Sequence, residues 1–152
     1  MRKYLLIISI GFVSAIFNRV SAQDYKWALG LRLSTPSPTI SSSVTVKCFI
    51  NDNAAIEGLV SFGTRFGIGG LYEVHRLIGG APNLNWFFGG GAYIGFQYDL
   101  VYTGPTGVIG MDYKFDNAPI NISLDWKPEL DISPAINFVP DAFALSVRFT
   151  LK

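Results

Sequence analysis

The 152-residue chain is 49% hydrophobic and 15% charged, with 12 basic and 11 acidic residues. That length holds one domain, and the near-neutral balance lacks the clustered Lys and Arg that phosphate binding needs, which argues against nucleic acid as a partner. A single cysteine, Cys48, leaves no intrachain disulfide to form.

At the start, Arg2 and Lys3 precede an apolar run over 4–17, and Val20-Ser21-Ala22 supplies a small-x-small cleavage pattern. The chain is therefore read as a signal peptide over 1–22 and a mature domain over 23–152. Asn18 and Arg19 break the run short of the roughly 20 residues that a spanning helix needs. No cysteine lies at the cut, which argues against a lipid anchor. Losing Arg2, Lys3 and Arg19 leaves 9 basic residues of the 12 against 11 acidic ones.

Over 25–33, Trp27, Leu29, Leu31 and Leu33 alternate with Lys26, Ala28, Gly30 and Arg32, the two-residue period of a strand. Pro36 and Pro38 make 34–43 a loop. In a second strand Val44, Val46, Cys48 and Ile50 oppose Thr45, Lys47 and Phe49, so Cys48 reads as a small hydrophobe. Asn51, Asp52 and Asn53 mark a turn. A third strand sets Ile56, Gly58, Val60 and Phe62 against Glu57, Leu59 and Ser61. Gly67, Gly69 and Gly70 lead into a fourth over 72–78, with Tyr72 and Val74 opposite Glu73 and His75. A fifth, over 86–98, has Trp86, Phe88, Ile94 and Phe96 on one side and Phe87, Gly89, Gly91, Tyr93 and Gly95 on the other, and 99–106 is expected as a loop.

The clearest element is the hairpin over 106–128. Ile109, Met111, Tyr113 and Phe115 back onto Val108, Gly110, Asp112 and Lys114, and across the turn at 116–119 Ile120, Ile122, Leu124 and Trp126 back onto Asn121, Ser123, Asp125 and Lys127. A long loop over 128–142 precedes a last strand, in which Phe143, Leu145, Val147, Phe149 and Leu151 alternate with Ala144, Ser146, Arg148 and Thr150. The connections after strands one, five and seven are expected long, and those after two, four and six short. Eight strands of this length and rhythm predict an all-β fold, an eight-stranded antiparallel up-and-down transmembrane β-barrel.

Composition then assigns the faces. Opposite the apolar rows stand Arg32, Lys47, Glu57, Glu73, His75, Asp112, Lys114, Asp125 and Arg148, with Gly, Ala, Ser and Thr between them. Mixed charges can pair inside a narrow eight-strand interior, so these nine are the expected interior polar network. The outward rows carry aromatics near strand ends, such as Trp27, Trp86, Tyr113 and Trp126, as interfacial girdles do. A soluble lipocalin-like barrel binding an apolar ligand is the alternative, but Trp27 follows Tyr25-Lys26 and so lacks that group's Gly-x-Trp signature.

The segments GLYEVHRLIG (70–79), LNWFFGGGAYIGF (84–96) and GVIGMDYKFDNAPINISLDWKP (107–128) resemble those of small outer-membrane β-barrel proteins of Bacteroidetes-type bacteria. The resemblance implies a barrel in the outer membrane of a Gram-negative bacterium, in contact with outer-membrane lipids and inserted by the barrel-assembly machinery. It implies no catalytic residue. Members often end on an aromatic residue, whereas this chain ends Phe149-Thr150-Leu151-Lys152.

Glu73 and His75 lie two apart on one face and could serve a lipid-modifying enzyme, yet no His-x-Ser arrangement supplies a nucleophile. Structural roles in the polar interior account for them better. Gly89, Gly91 and Gly95 imitate a nucleotide-binding glycine pattern, but no helix follows to hold a phosphate. Inward glycines that make room for bulky neighbours are the better reading. Asp99, Glu129, Asp131 and Asp141 are read as solvated loop charges rather than cation ligands. The expectation is a monomeric, non-enzymatic barrel without cofactor or metal, plugged by its own side chains, with a structural or surface-contact role carried by its outside loops.

Overall fold

The computed structural model describes residues 25–152, so the expected leader over 1–22 lies outside the described residues. In chain order the strands are β1 Trp27–Ser34, β2 Ser43–Phe49, β3 Ala54–Phe62, β4 Phe66–Leu77, β5 Leu84–Gln97, β6 Leu100–Lys114, β7 Ile120–Trp126, β8 Glu129–Asp131, β9 Asn137–Val139 and β10 Phe143–Leu151. From β1 to β7 each pairs antiparallel with the next, β7 pairs with β10, and β10 returns to β1. The eight long strands thus close into an up-and-down barrel, as the alternation predicts. Following the registers once round comes back to β1 displaced by about ten residues, a stagger that for eight strands goes with a tilt of about 40°.

The two short strands prolong barrel strands. β7 and β8 lie beside β6 in one register, with Leu124 opposite Met111 and Glu129 opposite Thr106. Pro128 interrupts them because it has no N–H to give, although its carbonyl still accepts from the Gly107 N–H at 3.2 Å. β9 then stands on β8 much as β10 stands on β7. The stretch expected as a loop over 128–142 is therefore in large part the tip of a tall hairpin.

Three other expectations are corrected. β4 starts at Phe66, so its glycines lie inside the strand, and only 63–65 separate it from β3. β5 and β6 are joined by Tyr98 and Asp99 alone, with Gln97 opposite Leu100 and Tyr98 at φ 55°. The segment 99–106 is thus mostly strand and the fifth connection is short. Glycine and proline mimic a loop there, but a long partner supplies the ladder that local propensity does not. Third, the first strand runs over Trp27–Ser34 rather than 25–33, because the chain bends at Lys26, and Tyr25 points inward with its ring edge on Phe49 at 5.3 Å.

Connections 50–53, 78–83 and 115–119 sit at the end that holds the start of β1 and the end of β10. In the first of them Asn51 Oδ1 accepts from the N–H groups of Asn53 and Ala54 at 2.9 and 2.8 Å, a side-chain turn of the kind Asn favours. At the opposite end the loop 35–42, barred from pairing by its prolines, folds into the barrel mouth. Its Ile40 is buried with Leu59, Leu71, Phe87, Tyr93 and Val108. Gly67 and Gly95 leave room for it: a Cβ on Gly67 would stand 2.9 Å from Ile40 Cδ1, and one on Gly95 would collide with Thr39 Cγ2.

Candidate functional site

The barrel axis is occupied by charge. Inward positions on β2, β3 and β4, and on β6 beyond the intervening β5, bring Lys47, Glu57, Glu73, His75 and Asp112 together. Arg148 of β10 completes the group. Lys47 Nζ lies 2.7 Å from Glu73 Oε2 and 3.7 Å from Glu57 Oε2, and 4.7 Å from the centre of the Phe87 ring. Arg148 Nη2 donates to Glu57 Oε1 at 2.5 Å and Nη1 donates to Ser123 Oγ at 2.8 Å. Thr45 adds its hydroxyl to Glu57. Because Arg148 presents several donors in a fixed plane, it holds β2, β3, β7 and β10 in one register where lysine could not.

His75 sits between two carboxylates. Its Nε2 is hydrogen-bonded to Glu73 Oε2 at 2.9 Å, and its Nδ1 is 3.3 Å from Asp112 Oδ2. The ring stacks on Phe87 at 5.0 Å and meets Phe49 at 4.9 Å. Both His75 and Glu73 are 0% exposed. A substrate would have to open the barrel to reach them.

Arg32 pairs with Asp125 in a second, separate ion pair. Lys114 stands apart from both groups. It is half-exposed at the rim, and its ammonium donates to the Phe115 and Ala118 carbonyls at 2.5 and 3.0 Å, closing the turn 115–119. Of the nine network residues named from the sequence, six thus converge, two form their own pair and one caps a turn.

Reading Glu129 and Asp131 as solvated loop charges is corrected, since both are buried. Glu129 accepts from the Thr39 and Ile40 N–H groups at 2.6 and 3.0 Å and from Lys127 Nζ at 2.6 Å, so this one carboxylate ties the inserted loop to the wall. Asp131 accepts from the Tyr93 hydroxyl at 2.7 Å. The signal was available: Lys127, Glu129 and Asp131 continue, at two-residue spacing, the inward row of Asn121, Ser123 and Asp125. Among the described residues no three His, Cys, Asp or Glu side chains are placed to hold a metal ion. Glu129→Gln keeps the shape but weakens three buried hydrogen bonds, so a loss of about 1–3 kcal/mol is expected. Limited proteolysis should then cut within 35–42 faster than in the parent chain; equal rates would mean that the loop is held by other contacts.

The outer surface is the inverse of the interior. Leu31, Leu124 and Phe149 are 56%, 61% and 64% exposed, against 0% for Lys47 and 1% for Arg148. Cys48 lies half-exposed in the outer row, its thiol near the Phe49 carbonyl at 3.8 Å. No protein-family model, curated protein or solved structure matches the chain.

Proposed function

We propose that the chain is an integral outer-membrane β-barrel of the kind its sequence resembles, with a side-chain-filled interior and a structural or surface-contact role at the end away from its termini. One observation carries the reading: rings of large apolar side chains stand exposed on every strand of the barrel, while Arg32, Lys47, Glu57, Glu73, Asp125 and Arg148 are sealed inside. In water that arrangement would leave a continuous apolar surface far larger than soluble monomers tolerate. In a bilayer it is the stable one, because a closed barrel satisfies its backbone hydrogen bonds internally and hides its charges from the acyl chains.

The soluble ligand-binding alternative needs an apolar cavity, and here the axis is filled with paired ions and the inserted Ile40. The lipid-modifying alternative needs an accessible base, and His75 is enclosed. Sealed by its own side chains, the barrel conducts no large solute. The expected result on expression is recovery in the outer-membrane fraction, with faster gel migration unheated than boiled. Recovery as a soluble periplasmic or secreted protein would overturn the reading.

A further inference from the structure

The barrel wall is uneven in height. β6 has 15 residues and β5 has 14, whereas β1 has 8 and β2 has 7. With a rise of about 3.3 Å per residue and a tilt of about 40°, each residue climbs about 2.5 Å along the axis. The strands start within about 3 Å of one level at the termini end once the stagger is followed. One wall therefore stands about 35 Å tall and the opposite wall about 18 Å, against an apolar belt of about 25 Å in outer-membrane barrels.

The extra height is apolar on its outside. Phe96, Val101, Leu130, Ile132 and Phe138 are exposed there; of the charged groups at this height Asp131 and Arg65 turn inward, and Asp99 stands at the very tip. Asp131 takes the Tyr93 hydroxyl, and Arg65 donates to Gln97 Oε1 at 3.1 Å while its guanidinium lies 3.8 Å from the centre of the Tyr102 ring. Above the short wall the surface is polar instead, with Thr35 and Ser37 bonded to Asp141. The polar rim thus begins low on one side and high on the other, and the tall wall continues the apolar belt without a break.

We propose that the outer face of the β5, β6, β8 and β9 extension is a lipid-docking surface, covered by acyl chains of the leaflet at the end away from the termini. The barrel then sits as a wedge, with the bilayer thinner beside β1 and β2. This rests on the membrane reading given above. A mismatch of about 10 Å at the tall wall and about 7 Å at the short one is accommodated by tilt and by local thickening or thinning of the bilayer, at small cost per ångström.

The test uses single-cysteine chains in a Cys48→Ala background, carrying an environment-sensitive fluorophore at Phe96→Cys, Val101→Cys or, at mid-belt, Leu124→Cys. The proteins are folded into phosphatidylcholine vesicles with or without doxyl-labelled phospholipid. The expected result is that positions 96 and 101 are quenched by doxyl lipid within twofold of position 124 and are protected from iodide. Quenching of 96 and 101 by iodide only, with 124 quenched by doxyl lipid, would overturn the docking surface and leave the membrane reading standing. Absence of doxyl quenching at all three would overturn both. Protection of 96 and 101 from both quenchers, with energy transfer between copies, would replace lipid by a second copy and also overturn the proposal.

Discussion

Arg148→Ala is expected to destabilise the folded barrel by about 3–5 kcal/mol, the range for removing one partner of a buried ion pair. The size follows from what is left behind. Glu57 would stay buried with Lys47 at 3.7 Å as its remaining cationic neighbour, and Ser123 and Asn121 would lose a shared donor. Because the Arg148 contacts join strands from distant parts of the chain, the loss also removes a constraint on register. A second change in the same chain, Glu57→Gln, should recover part of the cost, since it removes the carboxylate that Arg148 neutralises. Urea unfolding of the two variants and the parent, in the same detergent, measures both steps. If Arg148→Ala unfolds at the parent's midpoint, the ionic interior is not what holds these strands together.

The second large effect is on the outside. Leu124 is 61% exposed on the outer face of β7, near mid-height, and Leu124→Arg should cost about 2–4 kcal/mol in a bilayer, the midplane penalty for a cation on a barrel's lipid face. The same change at Tyr98, the fully projecting residue of the β5–β6 turn, should cost close to nothing. Equilibrium unfolding from vesicles separates the two. Equal, negligible costs at both positions would mean that Leu124 faces water and that the barrel is not membrane-embedded.

Glu129, which ties the inserted loop to the wall, lies on a row that spacing alone reveals. Strand alternation is a local property, so the eight long strands and the inward positions of Lys47, Glu73, Asp125 and Arg148 could be read from spacing alone. The length of β6 could not. Gly104, Pro105 and Gly107 discourage a strand on propensity, and only the full-length pairing with β5 overrides that. Pro128 likewise hid the continuation of β7 into β8, although the parity of Lys127, Glu129 and Asp131 ran through it.

What the amino-acid order determined by itself was the sorting of residues to two faces, because successive side chains on a strand point opposite ways whatever the strand pairs with. Which charges meet was decided by the tertiary structure. Glu57 reaches Arg148 across 91 positions of chain, and Thr39 reaches Glu129 across 90, through a stagger that no short window contains. Side-chain direction depends on one residue's backbone, whereas ion pairing depends on closure of the whole ring, so the first is written locally and the second exists only once the last strand meets the first.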